Sequence, residues 1–173
     1  MDLILQKATE LGVDAIWPFY SEHGIHKPQR DTQMERWQRI VLEACKQCDR
    51  ARPPEIHDTR EVTDLLAHPP PCDTKLIFWE HETRQTLNEV LAGQERDCNS
   101  VFFLLGPEGG FSAAEVAYAQ QAGFTPVSLG PRILRAETAT LAATAILQFT
   151  LGNLNPATPE NQEKNPCAPL SKG

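Results

Sequence analysis

Val101-Phe-Phe-Leu-Leu-Gly-Pro-Glu-Gly-Gly-Phe-Ser112 decides the reading of this chain. A short apolar strand runs into a Leu-Gly-Pro turn, and a helix pattern follows. An echo stands at Val127-Ser-Leu-Gly-Pro-Arg-Ile-Leu-Arg-Ala-Glu-Thr-Ala139, where a strand again enters Leu-Gly-Pro and leaves toward a helix. If the two strands are parallel neighbours, both turns sit at the carboxyl edge of one sheet, where open α/β sheets bind ligands. Two Gly-Pro loops at that edge would make a floor and a wall for one small molecule.

Around this core the elements alternate. Ser100–Leu105 is the strongest strand, and its unbroken apolar run predicts burial on both faces. Ser112-Ala-Ala-Glu115 is a capping box that opens a helix to about residue 122, stopped by Gly123. Pro126–Leu129 reads as the next strand and Thr138–Leu151 as an Ala-rich helix. Upstream, Lys75–Trp79 reads as a strand, residues 84–92 and 60–67 as helices, and His68-Pro-Pro-Pro71 as a turn or linker. Residues 3–11 carry Ile4, Ala8 and Leu11 on one helical face. Ala15–Tyr20 is a strand weakened by Pro18, and residues 21–31 are a loop. A long helix over 32–50 has Trp37, Ile40, Val41, Ala44 and Cys48 on its apolar face, and Arg52-Pro-Pro54 ends it before a short strand at 55–57. The alternation predicts an α/β domain with a mainly parallel sheet flanked by helices. It covers residues 1–154. The Pro-rich polar stretch over 155–173 is expected to be a disordered tail.

Bulk composition narrows the classes. The chain has 173 residues, 40% hydrophobic and 23% charged, with a net charge of −7. That excludes a uniformly basic nucleic-acid binder, so any RNA contact must come from a local patch. No apolar run reaches membrane-spanning length, and the N-terminus lacks the apolar core of a signal peptide. Five cysteines without framework spacing fit a reducing compartment, and the expected location is the cytoplasm.

The loops carry the chemistry. Gly109 and Gly110 let backbone approach a ligand with no Cβ in the way. The Ser112-capped helix offers free N–H groups at its first turn. A phosphate loop needs a Gly-Lys-Ser/Thr ending, and a dinucleotide fingerprint needs a different glycine spacing; neither is present. A plain strand-to-helix turn is the alternative. In the second loop Arg132 and Arg135 lie three apart, with Glu137 at a helix start. Two guanidinium groups suit a phosphate, or an oxygen gaining charge during reaction. The alternative is an Arg that pairs with Glu137 or caps a helix.

At these residues the chain resembles the bacterial 16S rRNA (uracil-N3) methyltransferases of the SPOUT superfamily. Lys7-Ala-Thr-Glu-Leu-Gly-Val13 and Glu43-Ala-Cys-Lys-Gln-Cys48, leading to Arg50, Pro53 and Ile56, agree with it. The match covers about residues 3–152. The resemblance implies S-adenosylmethionine as methyl donor, small-subunit rRNA as partner, a homodimer and a C-terminal trefoil knot. General topology argues against a knot, so it stands on the resemblance alone. Carried over residue by residue, the cofactor-binding set is Leu105, Gly106, Pro107, Glu108, Gly109, Gly110, Leu129, Gly130, Leu134 and Thr138, with the Thr138–Leu151 helix completing the knot. Two departures stand out. The small β-barrel that opens family members is absent from this sequence, which enters a helix almost at once. Trp79-Glu-His-Glu82 differs from the leucine-and-proline flavour of the family near the cofactor.

Methylation at uracil N3 requires loss of the N3 proton, or stabilisation of charge growing on O2 and O4. A cation near those oxygens favours the anionic form. Arg135 is the first candidate, Arg132 the second, and Glu137 or Glu108 the proton acceptor. Because N3 is hidden in pairing, the target base is expected unpaired or flipped out. Related readings are a methyltransferase for ribose 2′-hydroxyls and a non-catalytic RNA-binding module.

Arg36, Arg39, Lys46 and Arg50 recur at helical spacing opposite the apolar face, with Glu43 among them. Residues 27–60 hold eight of the 16 Lys and Arg but six of the 23 Asp and Glu, a local reversal of sign. An RNA-facing surface and a solvated helix face both fit this pattern. Cys45-Lys-Gln-Cys48 is a lone CxxC in mid-helix; even with His23 and His26 its spacing and loop context suit zinc poorly, and no metal is expected.

Overall fold

The computed structural model describes residues 1–24, 31–92, 98–152 and 154. In chain order the elements are α1 (Asp2–Glu10), β1 (Ala15–Ile16), β2 (Phe19–Tyr20), α2 (Asp31–Cys48), β3 (Glu55–Ile56), β4 (Arg60–Glu61), α3 (Val62–Ala67), β5 (Thr74–Phe78), α4 (Leu87–Ala92), β6 (Val101–Leu105), α5 (Ala113–Gln121), β7 (Thr125–Val127) and α6 (Ala136–Thr150). The tail expected over 155–173 lies outside the described residues. Among the described residues no helix is long and apolar enough to cross a membrane.

The chain divides into two compact units, one of Met1–Trp17, Pro28–His57 and Thr140–Gly173 and one of Pro18–Lys27 and Asp58–Ala139. In the first unit, Leu5 of α1 is fully buried with Trp37 and Val41 of α2, and Ile16, Met34, Ile40 and Ile56 pack around them. Burying a leucine of this kind stabilises a fold by roughly 1.5–3 kcal/mol. β1 and β3 pair in parallel, Ala15 beside Glu55 and Ile16 beside Ile56. Gln148 Nε2 of α6 donates to Gly12 O at 3.0 Å and fastens that helix to the turn after α1.

The second unit holds a three-stranded parallel sheet in the order β6-β5-β7. This corrects two expectations. The two strands that enter the Leu-Gly-Pro turns are not neighbours, because β5 lies between them. Nor is β6 buried on both faces: Phe102 and Leu104 are buried, while Val101, Phe103 and Leu105 are only partly covered, as suits an edge strand. The central place belongs to β5, whose Leu76 and Ile77 are fully buried. All three strands run the same way, so their carboxyl ends share one edge.

Smaller differences have local causes. The strand expected over 15–20 breaks at Pro18, which has no N–H to give a ladder. Its halves pair separately, β1 with β3 and β2 with β4, and Pro18 O accepts from Arg60 N at 3.2 Å. Pairing with Phe19 and Tyr20 draws Arg60 and Glu61 out of the helix expected over 60–67. The helix expected from 84 starts at Leu87, because Thr86 and Glu89 exchange capping bonds: Thr86 N donates to Glu89 Oε2 at 2.7 Å and Glu89 N to Thr86 Oγ1 at 3.3 Å. The Thr86 amide holds the Glu89 carboxyl below the usual carboxylate range, helped by the Thr86 hydroxyl.

Candidate functional site

Each of the three parallel strands releases its chain at the same sheet edge. β6 opens into Gly106–Phe111. Gly110 N donates back to Pro107 O at 2.9 Å, which folds Pro107–Gly110 into a tight turn, and Gly110 takes a φ of +66°. Glycine, with no Cβ, adopts that left-handed backbone at least cost. The predicted capping box is present: Ser112 Oγ accepts from Glu115 N at 3.2 Å, and Ser112 N donates to Glu115 Oε2 at 2.8 Å. β7 opens into Ser128–Arg135. There Gly130, at a φ of +106°, is tied to Ser128 by its N–H on the hydroxyl at 3.1 Å.

β5 opens into Trp79–Thr86, and this third loop is stitched to the second. Trp79 N donates to Val127 O at 3.1 Å, Ser128 N to Gln85 O at 3.0 Å and Leu87 N to Ser128 O at 3.1 Å. Glu82 Oε1 accepts from the amides of Arg84 at 2.6 Å and Gln85 at 3.3 Å, which fixes the turn between them.

The three loops enclose one cavity of about 570 Å³. Pockets for small molecules run from roughly 300 to 1,000 Å³. Of the residues singled out from sequence, Leu105, Gly106, Pro107, Glu108, Gly110, Leu129, Gly130, Arg132 and Leu134 line it. Gly109, Arg135, Glu137 and Thr138 are not in the lining. Gly109 faces the other way, toward His23. Arg135 uses its carbonyl to accept from Ala139 N at 2.8 Å at the start of α6, and its side chain is exposed. Glu137 is half-buried in the first turn of α6.

Sequence reasoning missed part of this lining. Trp79, Glu80 and Glu82 come from the Trp79–Glu82 segment that departs from the family pattern, Phe78, Thr83 and Thr86 flank it, and Val127, Ser128, Pro131, Ile133, Ala136 and Ala139 complete the set. The signal available was the strong strand at 75–79, which had to end at the same edge as the other two once all three were parallel. The carboxylate of Glu80 lies so close to Gly110 that any Cβ at 110 would collide with it. Glu80 also stands 4.0 Å from His81 Nε2. The Trp79 indole N–H is buried and has no hydrogen-bond acceptor among the described residues.

The charge around the cavity is uneven. Its lining includes three acidic residues, Glu80, Glu82 and Glu108, and one basic residue, Arg132. Apolar walls from Phe78, Leu105, Val127, Leu129 and Leu134 stand beside them. Such a site suits a ligand with a flat, weakly polar body and a cationic part. S-adenosylmethionine, with its adenine and its sulfonium and ammonium charges, fits both features and the volume.

In the first unit the basic face is only partly as expected. Arg36, Arg39 and Lys46 are exposed on α2, with Arg36 paired to Asp2. Arg50 is a correction. It lies beyond the end of α2, and its side chain is only 7% exposed. Asp49 takes a φ of +57° and turns the chain back. Arg50 then donates to Thr9 O at 3.2 Å, Val13 O at 2.6 Å and Asp14 Oδ1 at 3.0 Å. It thus satisfies carbonyls at the carboxyl end of α1, where a cation is also favoured by the helix dipole. Of the CxxC, Cys45 is buried, and Cys48 is half-buried with its Sγ 3.8 Å from Cys45 O. His26 lies outside the described residues.

The sequence model of the RNA methyltransferase domain matches residues 1–148. The chain belongs to that family. It is 37% identical over 161 residues to the ribosomal RNA small subunit methyltransferase E of Buchnera aphidicola subsp. Schizaphis graminum, a match that covers 90% of this chain and 62% of the relative. The protein of the same name from Aquifex aeolicus is 35% identical over 151 residues, 85% of this chain and 62% of its own. A crystal structure of a ribosomal RNA small subunit methyltransferase E from Neisseria gonorrhoeae bound to S-adenosyl methionine superposes with a TM-score of 0.76 at 39% identity, over 86% of this chain and 60% of that one. The chain therefore spans about three-fifths of the length of the relatives it matches.

Proposed function

We propose that this chain is the catalytic domain of an S-adenosylmethionine-dependent methyltransferase acting on uracil N3 in small-subunit rRNA. One observation carries the proposal: both Leu-Gly-Pro loops and the β5 exit loop line a single carboxylate-rich cavity at the shared edge of a parallel sheet. When bound, S-adenosylmethionine supplies an electrophilic methyl group. The apolar walls at Leu105, Val127, Leu129 and Leu134 would hold its flat base, and the carboxylate of Glu80 its cationic end.

The chain's own residues do the rest. Arg132 lines the cavity, which supports giving its guanidinium the role of favouring negative charge on the uracil oxygens. The proposal therefore puts Arg132 ahead of Arg135, which approaches the cavity only if its exposed side chain swings. The N3 proton leaves as the N–CH₃ bond forms, and Glu108, exposed at the cavity, is the better placed acceptor than Glu137. Holding donor and base together in one cleft replaces a chance collision by an oriented encounter. The trefoil knot, the homodimer and a cytoplasmic location belong to the same proposal. The exposed second loop supports the dimer, since a partner subunit would cover it. Arg36, Arg39 and Lys46 remain the proposed RNA contacts, with Arg50 removed.

Calorimetric titration with S-adenosylmethionine, followed by mass spectrometry of nucleosides from methylated small-subunit rRNA, tests this. Micromolar binding and 3-methyluridine are expected. A chain that takes up no S-adenosylmethionine is a pure binding module, and a 2′-O-methylated product moves the target to the ribose.

A further inference from the structure

Outside the three exit loops, residues 21–24 form a turn of their own, in which Gly24 N donates to Ser21 O at 2.9 Å. Two bonds tie this turn to the first Gly-Pro loop. Glu22 N donates to Glu115 Oε1 at 2.8 Å. Glu115 is buried, and its other oxygen accepts from Ser112 N at 2.8 Å. One carboxylate therefore binds the backbone of both segments. In the second bond, His23 Nδ1 stands 3.0 Å from Gly109 O. A carbonyl only accepts, so Nδ1 carries the proton and donates it. The surfaces are fitted to each other: a Cβ at 109 would come within 2.7 Å of His23 Cβ and 3.1 Å of His23 O.

We infer that His23 is a positioning residue for the candidate cofactor loop. Through the Gly109 carbonyl it holds Glu108–Gly110 in the shape that forms one wall of the cavity. Two adjacent glycines have the largest backbone freedom of any residue pair, and a ligand that must order them binds more weakly. His23 orders them before the ligand arrives. Its side chain is exposed and does not line the cavity between the exit loops, so its effect is expected on the loop and on binding, not on the core. The effect on binding rests on the proposed cofactor; the hold on the loop does not.

The experiment compares wild type, His23→Ala and His23→Asn by amide hydrogen exchange at Gly109–Phe111, S-adenosylmethionine titration and thermal melting. The asparagine amide places an N–H close to where the imidazole Nδ1–H stands. Losing one hydrogen bond to a loop carbonyl should speed exchange at the Gly110 amide roughly three- to tenfold in His23→Ala and raise the cofactor Kd by about the same factor. Asparagine should restore both, with melting temperatures level across the series. Unchanged exchange in His23→Ala overturns the inference. So does a melting drop shared by both variants with no local change at 109–111, which would make His23 an ordinary structural residue. If wild type ignores S-adenosylmethionine while exchange follows the series, the cofactor reading falls and the positioning role stands. If wild type binds it and neither readout moves in His23→Ala, the reverse holds.

Discussion

The same tripeptide, Leu-Gly-Pro, begins two loops of opposite character. The first, from Leu105, is held on every side. Gly110 folds back on Pro107, Ser112 and Glu115 exchange capping bonds, and His23 and Glu22 reach it from more than eighty residues away. The second, from Leu129, is anchored at its start through Ser128, and beyond that its Gly130–Ile133 stretch is exposed. Pro131 and Arg132 are exposed, Ile133 is 86% exposed, and, its chain neighbours aside, no atom of the described residues lies within 4 Å of a Cβ at Gly130. Sequence identity at a turn therefore does not confer rigidity. The contacts around it do, and a pre-ordered wall facing an open one suits a site where a small ligand is held on one side and a large substrate arrives on the other.

Changes on both sides break or sharpen that contrast. The largest effect is expected from Arg132→Ala in the open loop. Single-turnover methylation should slow about 10²- to 10³-fold, the scale of losing one group that stabilises developing charge, while calorimetric affinity for S-adenosylmethionine stays within about threefold. A variant as fast as wild type, with Arg135→Ala slow instead, would return the role to Arg135.

Next comes Glu115→Ala in the held loop. It strands the amides of Glu22 and Ser112, while the bond from the backbone N–H at 115 to Ser112 Oγ survives, so chemical denaturation should show a loss of about 2–3 kcal/mol. A loss below about 0.5 kcal/mol, the range of ordinary surface changes, would mean that the first loop is no better fixed than the second.

A paired glycine test follows. Gly110→Ala places a Cβ on the Glu80 carboxylate and strains a left-handed backbone, whereas Gly130→Ala carries backbone strain alone. Displacing Glu80 should weaken cofactor binding about tenfold, near 1.4 kcal/mol, and Gly130→Ala should weaken it several-fold less. Equal losses would show that Glu80 contributes nothing to the ligand. The smallest effect is expected from Ile133→Ser. With the side chain almost wholly in solvent, unfolding free energy should move by no more than about 0.5 kcal/mol. A larger drop that depends on protein concentration would reveal a subunit contact at this residue.

Much of this architecture was legible in the chain itself. Period-two and period-3.6 patterns located the helices and strands, because apolar faces must be buried whatever their partners. Ser112 and Glu115 announced their helix start by capping chemistry alone. The Arg50 error has a definite cause. Helical spacing continued past Cys48 on paper, while Asp49 in a left-handed conformation ended the helix and sent the guanidinium into the carbonyls of α1. Exposure of a long cation depends on where its backbone turns, and no spacing rule contains that.

By itself the sequence determined the alternation of elements, the two Gly-Pro turns and the residue types available for binding, since these follow from local sterics, propensity and hydrophobic period. Tertiary structure alone decided that β5 would sit between β6 and β7, that its exit loop would bring Glu80 to the cavity, that Arg132 would line it while Arg135 would not, and that His23 would reach Gly109. Those outcomes rest on contacts between segments far apart in the chain. Their geometry is set by the packing of the whole sheet, not by any neighbourhood of residues.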